Sequence, residues 1–325
     1  MQQIKRHILV TGGAGYIGSH VCKVLDERGM HPIVVDNLST GDRRAAKWGT
    51  FVEADIKDKS ALRRIFNAWN VDAVIHMAAD SDVGASFNFS KEYYENNVGG
   101  TINLIEVIEE SGLQIPVVYS SSCSVYGYPR EVPIRENHGR LPASPYGRTK
   151  LWAEENLFSA YLPVISLRYF NVAGSHKDAD IGDYHIPSRH IIPRAISAAI
   201  GKLDPFFVYG TDYSTHDGTA IRDYIHVCDV ADVHYNALFK LFHEGRSRVY
   251  NIGSGIGYTV LEVIKKVEEV TGNSVPYAPA LRLKGNPDKL IANNTRARRE
   301  LGLSVGGSSL KNMIQTTYDW MMNRE

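Results

Sequence analysis

Long hydrophobic runs are missing from this chain of 325 residues: no stretch approaches the roughly 18 to 20 apolar residues that a helical membrane span requires. Surplus charge is missing too. With 36 Lys and Arg against 36 Asp and Glu the net charge is zero, so no whole-chain field draws in nucleic acid or an anionic membrane. Any anion must be gripped locally. Cysteine is sparse: Cys22, Cys123 and Cys228 are scattered and form no C-x-x-C pair. They read as packing residues in a reducing compartment rather than as a disulfide framework, and no metal is expected. The start, Met-Gln-Gln-Ile-Lys-Arg-His, leads directly into a strand rather than into the apolar core of a signal peptide, so a cytoplasmic location is expected. Internal repeats, low-complexity tracts and flexible linkers are likewise absent from the sequence.

What is there is regular alternation. Ile8–Thr11, Pro32–Asp36, Thr50–Glu53, Ala73–His76, Pro116–Tyr119 and Val164–Arg168 read as short buried strands. Helix-length segments separate them: Gly18 to Arg28, Lys59 to Trp69, Tyr93 to Ser111 and Tyr146 to Ala160. This predicts an α/β fold, a doubly wound parallel sheet of Rossmann type. Beyond Asn171 Gly, Pro, His and Asp become frequent, and Gly174 to Pro187 and Thr211 to Ala220 read as long loops of the functional kind. A late strand is expected at Val249–Gly253, a helix at Val260 to Thr271 and a closing amphipathic helix at Leu310 to Met322. A second, smaller unit interleaved with the first follows from this pattern.

Chemistry concentrates in two motifs. The turn Gly12-Gly-Ala-Gly15-Tyr16-Ile17-Gly18 follows a strand and opens a helix, and Asp36 ends the next strand. Glycines there let a backbone approach a pyrophosphate at a helix N-terminus, and the carboxylate takes the ribose hydroxyls, which favours NAD over NADP. A purely structural turn is the bland alternative. The second motif is Tyr146-Gly-Arg-Thr-Lys150, behind the serine run Ser120 to Ser124. Four residues on a helix put phenol and ammonium on one face, about 6 Å apart along the axis. An adjacent ammonium favours the phenolate and would draw a tyrosine towards working pH as a base. Asp55 and Ile56, and Ala78 and Ala79, follow strands at the end where ligands of doubly wound sheets bind; Asp55 is placed to meet the adenine or, more blandly, to cap the next helix.

With those residues in view, the chain resembles the extended short-chain dehydrogenase/reductases, and among them the UDP-glucose 4-epimerase family. The likeness runs through Thr11–His20, Val35-Asp36-Asn37-Leu38, Tyr93–Val98, Ser120–Gly127, Ser144–Gly147, Arg168–Asn171 and Asp217–Val227. The resemblance implies Tyr146 as base, Lys150 as its partner and Ser122 as the hydrogen-bonding hydroxyl. It also places Asn96 and Phe170 at the cofactor, and Asn171, His190, Ile191, Tyr209 and Arg222 at a nucleotide sugar. Arg222 is the expected cation for the diphosphate, with a structural Arg222–Asp223 ion pair as the alternative. Three positions depart from the family pattern: Ser81 stands where a lysine is common, Leu283 where an arginine is usual, and Asn286 where an aspartate is. Arg282, Asn286 and Leu290 complete the expected sugar site, Leu290 standing at the gate of the sugar pocket.

The implied reaction is NAD-dependent inversion at C4 of a UDP-sugar, UDP-glucose and UDP-galactose most simply. Alternatives within the class are UDP-N-acetylhexosamines, a UDP-pentose or a UDP-uronate. A nucleotide-sugar dehydratase shares the fold but needs an acid and a base where this chain has Cys123 and Ser124. A non-catalytic NAD-binding regulator is the alternative of a different class. Residues 1–170 are expected to hold NAD, with about 221–255 returning to that unit, and 171–325 to hold mainly the UDP-sugar. The resemblance also implies a homodimer built on the helices from Tyr93 and Tyr146.

Overall fold

The computed structural model describes residues 5–185, 188–203 and 205–324. Six strands open the chain: β1 (His7–Thr11), β2 (His31–Asp36), β3 (Thr50–Glu53), β4 (Val71–His76), β5 (Val117–Ser122) and β6 (Val164–Tyr169). Seven more follow: β7 (Asn171–Ala173), β8 (Phe206–Tyr209), β9 (Ile221–His226), β10 (Arg248–Ile252), β11 (Gly257–Thr259), β12 (Tyr277–Ala280) and β13 (Lys289–Leu290). The helices of the first half are α1 (Tyr16–Glu27), α2 (Lys59–Ala68), α3 (Ser90–Tyr94), α4 (Gly100–Glu110) and α5 (Pro145–Ser159). Those of the second are α6 (Ile191–Ala199), α7 (Val227–Glu244), α8 (Val260–Thr271), α9 (Thr295–Leu301) and α10 (Leu310–Asn323).

Seven strands form one parallel sheet in the order β10-β6-β5-β4-β1-β2-β3, a Rossmann-type α/β fold. The central strands are apolar on both faces because both are covered. Ile8 and Val10 pack with Val21 and Leu25 of α1 and with Val230 and Leu238 of α7. Leu9, one step along β1, faces the other way, onto Leu62 of α2, Leu104 of α4 and Leu157 of α5. A third core joins α6, α8 and α10 through Ile196, Val263, Ile264, Met313 and Trp320.

The expected strands of the large sheet are all present, with ends shifted by a few residues. The helix expected from Tyr93 to Ser111 begins at Ser90 and is interrupted by a π turn, Glu95–Gly99. The eighteen-residue α7, not expected as a helix from the sequence, lays Val230, Ala231, Leu238 and Leu241 on one broad face against α1 and the sheet. After it, β10 rejoins the large sheet beside β6. β9 does not: it pairs with β7, β11 and β13 in a small separate sheet. Residues 174–185 and 210–220 lack regular structure, as expected for long loops. Pro187, the far end of the first loop as read from sequence, lies outside the described residues.

Candidate active site

The large sheet reaches the cleft at the carboxyl ends of its strands, and α1, α5 and α6 at their amino ends. Gly12 turns the chain out of β1 with φ +70°, and a Cβ there would sit 2.7 Å from the backbone nitrogen of Ala78. At Gly18 a Cβ would lie 2.1 Å from the Gly12 carbonyl oxygen. Only glycine closes this turn. Gly15 caps α1 without any side-chain hydrogen bond, so the first N–H groups of the helix, from Tyr16, Ile17 and Gly18, keep their capacity for an anion. Asp36 accepts hydrogen bonds from the Ala14 and Leu38 N–H groups (3.0 and 2.9 Å) beside the turn. Burial raises its pKa, against the pull of those two bonds. Bare glycine backbone, an uncapped helix and a carboxylate at the next strand end fit a dinucleotide with a free ribose diol.

The end of β4 is fixed by a buried chain. His76 bonds Thr11 Oγ1 (2.7 Å) and Thr101 Oγ1 (2.9 Å), and burial lowers its pKa to about 3, so it stays neutral. Thr11 Oγ1 also accepts from the Met77 and Ala78 N–H groups (3.1 and 3.2 Å), which holds Ala78 and Ala79 against the turn. The π turn places Asn96 on the cleft wall. Asn97, one residue on, grips the backbone of Asp80 (2.7 and 3.0 Å) and the Thr149 hydroxyl (3.0 Å). Sequence reasoning had passed over Asn97. Ile56 and Asn37 line the cleft; Asp55 does not, and accepts instead from Asn37 Nδ2 (3.0 Å) at the rim. Nor does Asp55 cap α2, since Asp58 does so through the Ser60 and Ala61 N–H groups.

Ser144 caps α5 by accepting from Gly147 N (3.1 Å), and Pro145 takes the first helical position. Tyr146 is therefore set in the first turn, facing Ser122 at the end of β5. Burial pushes the phenol pKa well up from 10, and the Ser122 hydroxyl pulls the other way. Lys150 is buried too, which lowers its pKa to about 7. Its ammonium does not bond the phenol: Nζ donates to the Ser120 carbonyl (2.6 Å) and lies 5.0 Å above the Tyr119 ring. The ammonium expected beside the phenol is thus anchored to the end of β5. Behind the serines, Glu154 accepts from Ser121 Oγ (2.9 Å) and Ser166 Oγ (2.7 Å) and pairs with the Arg168 guanidinium, a buried brace that the sequence did not reveal.

Across a cleft of about 890 Å³ lie Phe170, Asn171, His190, Ile191, Tyr209, Arg222, Asn286 and Leu290. Alternation along β9 sends Arg222 to the cleft and Asp223 away from it. No Arg222–Asp223 ion pair exists. Asp223 accepts from Ser254 N and Oγ (both 2.7 Å), Gly255 N (2.9 Å) and Ala292 N (3.0 Å). Arg222 donates to the Ile221 and Pro287 carbonyls (2.6 and 2.7 Å) and to Asn286 Oδ1, which fixes the guanidinium. Arg282 stays outside: Asp212 Oδ1 holds its Nε at 2.6 Å, and its guanidinium lies 4.0 Å over Tyr213. Three cations missed from sequence line the cleft instead, Arg189, Arg194 and Lys284. Lys284 sits 5.0 Å over Phe87, and Arg189 lies 3.8 Å from Asp82.

Residues 8–253 match the model of the NAD dependent epimerase/dehydratase family. The chain belongs to that family. It is 42% identical over 317 residues to a UDP-glucose 4-epimerase of Rhizobium leguminosarum bv. trifolii, covering 96% of each chain. Among solved structures it is similar to the UDP-glucose 4-epimerase from Brucella ovis in complex with NAD, with TM-score 0.93, 43% identity, and coverage of 97% of this chain and 98% of that one. It is likewise similar to the UDP-glucose-4-epimerase from Stenotrophomonas maltophila with bound NAD and formylated UDP-arabinopyranose, with TM-score 0.92, 38% identity, and coverage of 98% and 99%. No helix of the described residues is long and apolar enough to cross a membrane, and none of their His, Cys, Asp and Glu groups is suited to a metal.

Proposed function

We propose that this chain is an NAD-dependent UDP-sugar 4-epimerase, an isomerase whose substrate pair is UDP-glucose and UDP-galactose. One observation carries the reading: a single cleft holds the glycine turn with Asp36, the Ser122–Tyr146–Lys150 set and Arg222. The cofactor supplies a reversible hydride acceptor when bound. Gly12, Gly15 and the first turn of α1 would hold its pyrophosphate, and Asp36 its ribose hydroxyls. Tyr146 exchanges the proton of the sugar 4-hydroxyl, and Ser122 hydrogen-bonds the same oxygen. Arg222, steadied by Asn286, grips the diphosphate. Leu290 gives the sugar an apolar wall without hydrogen bonds, so that a 4-keto sugar can turn over between faces.

Cys123 speaks against a dehydratase: burial pushes its thiol up to about 12, and neither it nor Ser124 is an acid–base group near neutral pH. Residues 1–170 with α7 and β10 form the unit we assign to NAD, and the rest mainly the UDP-sugar unit. Half-exposed Tyr94 on α3 and Trp152 on α5 meet edge to face at 5.2 Å, an aromatic surface suited to a homodimer of these helices. A cytoplasmic location suits the three free cysteines. An assay of UDP-galactose coupled to UDP-glucose dehydrogenation tests the reading. Conversion without net NADH from the epimerase supports it; a 4-keto-6-deoxy product would mean a dehydratase, and no conversion with NAD retained would leave a binding protein.

A further inference from the structure

The chain has a second concavity, of about 400 Å³, that shares no lining residue with the active-site cleft. It lies between the stretch that carries Arg135 and Asn137 and the start of α9, and Arg296, Arg299 and Asn293 also face it. In a chain with equal numbers of acidic and basic side chains, three guanidiniums converge here. The carboxylate that lines the cavity, Glu136, already accepts from the Asn251 N–H (3.0 Å). Glu300 positions two of the cations: its oxygens lie 2.7 Å from Arg299 Nη2 and 3.6 Å from Arg296 Nε, and it also accepts from the Tyr250 hydroxyl (2.8 Å). Arg296 lies 5.1 Å over the Tyr250 ring besides. The third, Arg135, is exposed and has no acidic partner among the described residues. Asn293 takes the Thr295 N–H (3.2 Å) with its side-chain oxygen, so its amide NH₂ is left as an uncharged donor.

We propose that this cavity binds a phosphate-bearing small anion. Two guanidiniums paired with one carboxylate, a third without an acidic partner, and an amide donor make a set that matches the several oxygens of a phosphate. The depression is open to solvent, so a small anion can reach it, and zero net charge speaks against a polymeric polyanion as occupant. Position gives the site a consequence. Ile134 and Ala292 form an isolated bridge, with Ile134 N donating to Ile291 O and Asn293 N to Ile134 O, both at 2.8 Å. Arg135 and Asn293 are thus the next residues on either side of that bridge. Three residues before Asn293, about 10 Å of extended chain, stands Leu290 in the wall of the active-site cleft. An anion bound here therefore sits on the chain segment that leads to Leu290.

The inference does not rest on the proposed reaction, and its test is a titration. Inorganic phosphate is added calorimetrically to the NAD-bound protein saturated with UDP, and the Arg135→Gln/Arg299→Gln double variant is run beside it. Saturable one-site binding by the wild type, at least tenfold weaker in a variant that keeps its NAD and its melting temperature, is the expected result. Glycerol phosphate in a second arm separates the sources: tighter binding than phosphate identifies an ester as the ligand, equal binding the free anion. Absence of saturable binding by the wild type, or equal binding by wild type and variant, overturns the proposal. Should UDP fail to bind, the same comparison on the protein with NAD alone still reads this cavity.

Discussion

Tyr146 is held between opposing forces, since burial favours the neutral phenol and the Ser122 hydroxyl favours the phenolate. Removing only its oxygen isolates the acid–base step. Tyr146→Phe is expected to lower kcat by about 10²–10⁴-fold while NAD stays bound through gel filtration; retention of more than half the wild-type rate would remove Tyr146 from the reaction. Leu290 sets a different limit. It is buried at the cleft wall with Cys123, Val125 and Phe170, and leucine is both shorter than tyrosine and without a hydroxyl. Room beside C2 of the sugar follows, so UDP-GlcNAc is expected as a substrate alongside UDP-glucose. Leu290→Tyr should then reduce N-acetyl turnover selectively, by a factor worth about 1–3 kcal/mol. Parallel rates on the two substrates decide it, and wild-type enzyme blind to UDP-GlcNAc but brisk on UDP-glucose would refute it.

The α5 N-terminus joins local helix chemistry to catalysis, because Ser144 fixes the first turn and Tyr146 lies within it. Ser144→Ala is expected to cost about 1 kcal/mol of stability and to lower kcat more than it weakens NAD retention. Denaturant midpoints and turnover, measured together, check this; an unchanged kcat would show that packing alone sets Tyr146. Parts of this were legible in the sequence: a phenol and a lysine one helical turn apart, and buried parallel strands written as unbroken apolar runs. The rest was not, for physical reasons. The buried residues of α7, among them Val227, Val230, Ala231, Leu238 and Leu241, do recur at helical spacing, but Val233 and the exposed Phe239 beside them widen the apolar face and blur that stripe. β7, β9, β11 and β13 are two to six residues long and pair across large sequence separations. Arg282 is the arginine one would choose by type, yet Asp212 and Tyr213 retain it while Lys284 lines the cleft. Such a choice depends on which neighbour the fold brings near, and that is not a property of the local sequence.

At the scale of the whole molecule, four histidines tie stability to acidity. Burial lowers the pKa of His20, His226 and His234 to about 4 and of His76 to about 3. Their unfolded pKa is near 6.5, so below that value the unfolded chain binds protons that the folded chain refuses. Stability is therefore lost as pH falls from about 6.5 towards 4, by up to about 1.4 kcal/mol per pH unit for each imidazole. Asp223 opposes this, since burial raises it to about 6 and the folded state then gains from protonation. Burial raises Asp36, Asp80, Asp229 and Asp232 as well, but ordinary carboxyls titrate near 4, below most of this window, so the histidines prevail and melting temperatures recorded between pH 7.5 and 5 should fall; a flat or rising profile would contradict the burial of these rings. The order of the large sheet has a further consequence for synthesis on the ribosome. Its first six strands emerge in sequence and can assemble as they appear. β6 then waits with one hydrogen-bonding edge bare until β10 arrives, after β7, β8, β9 and the whole of α7. A nascent chain halted between Tyr169 and Arg248 presents that edge to any passing strand, which makes this window the one in which the protein most depends on a chaperone or on uninterrupted translation.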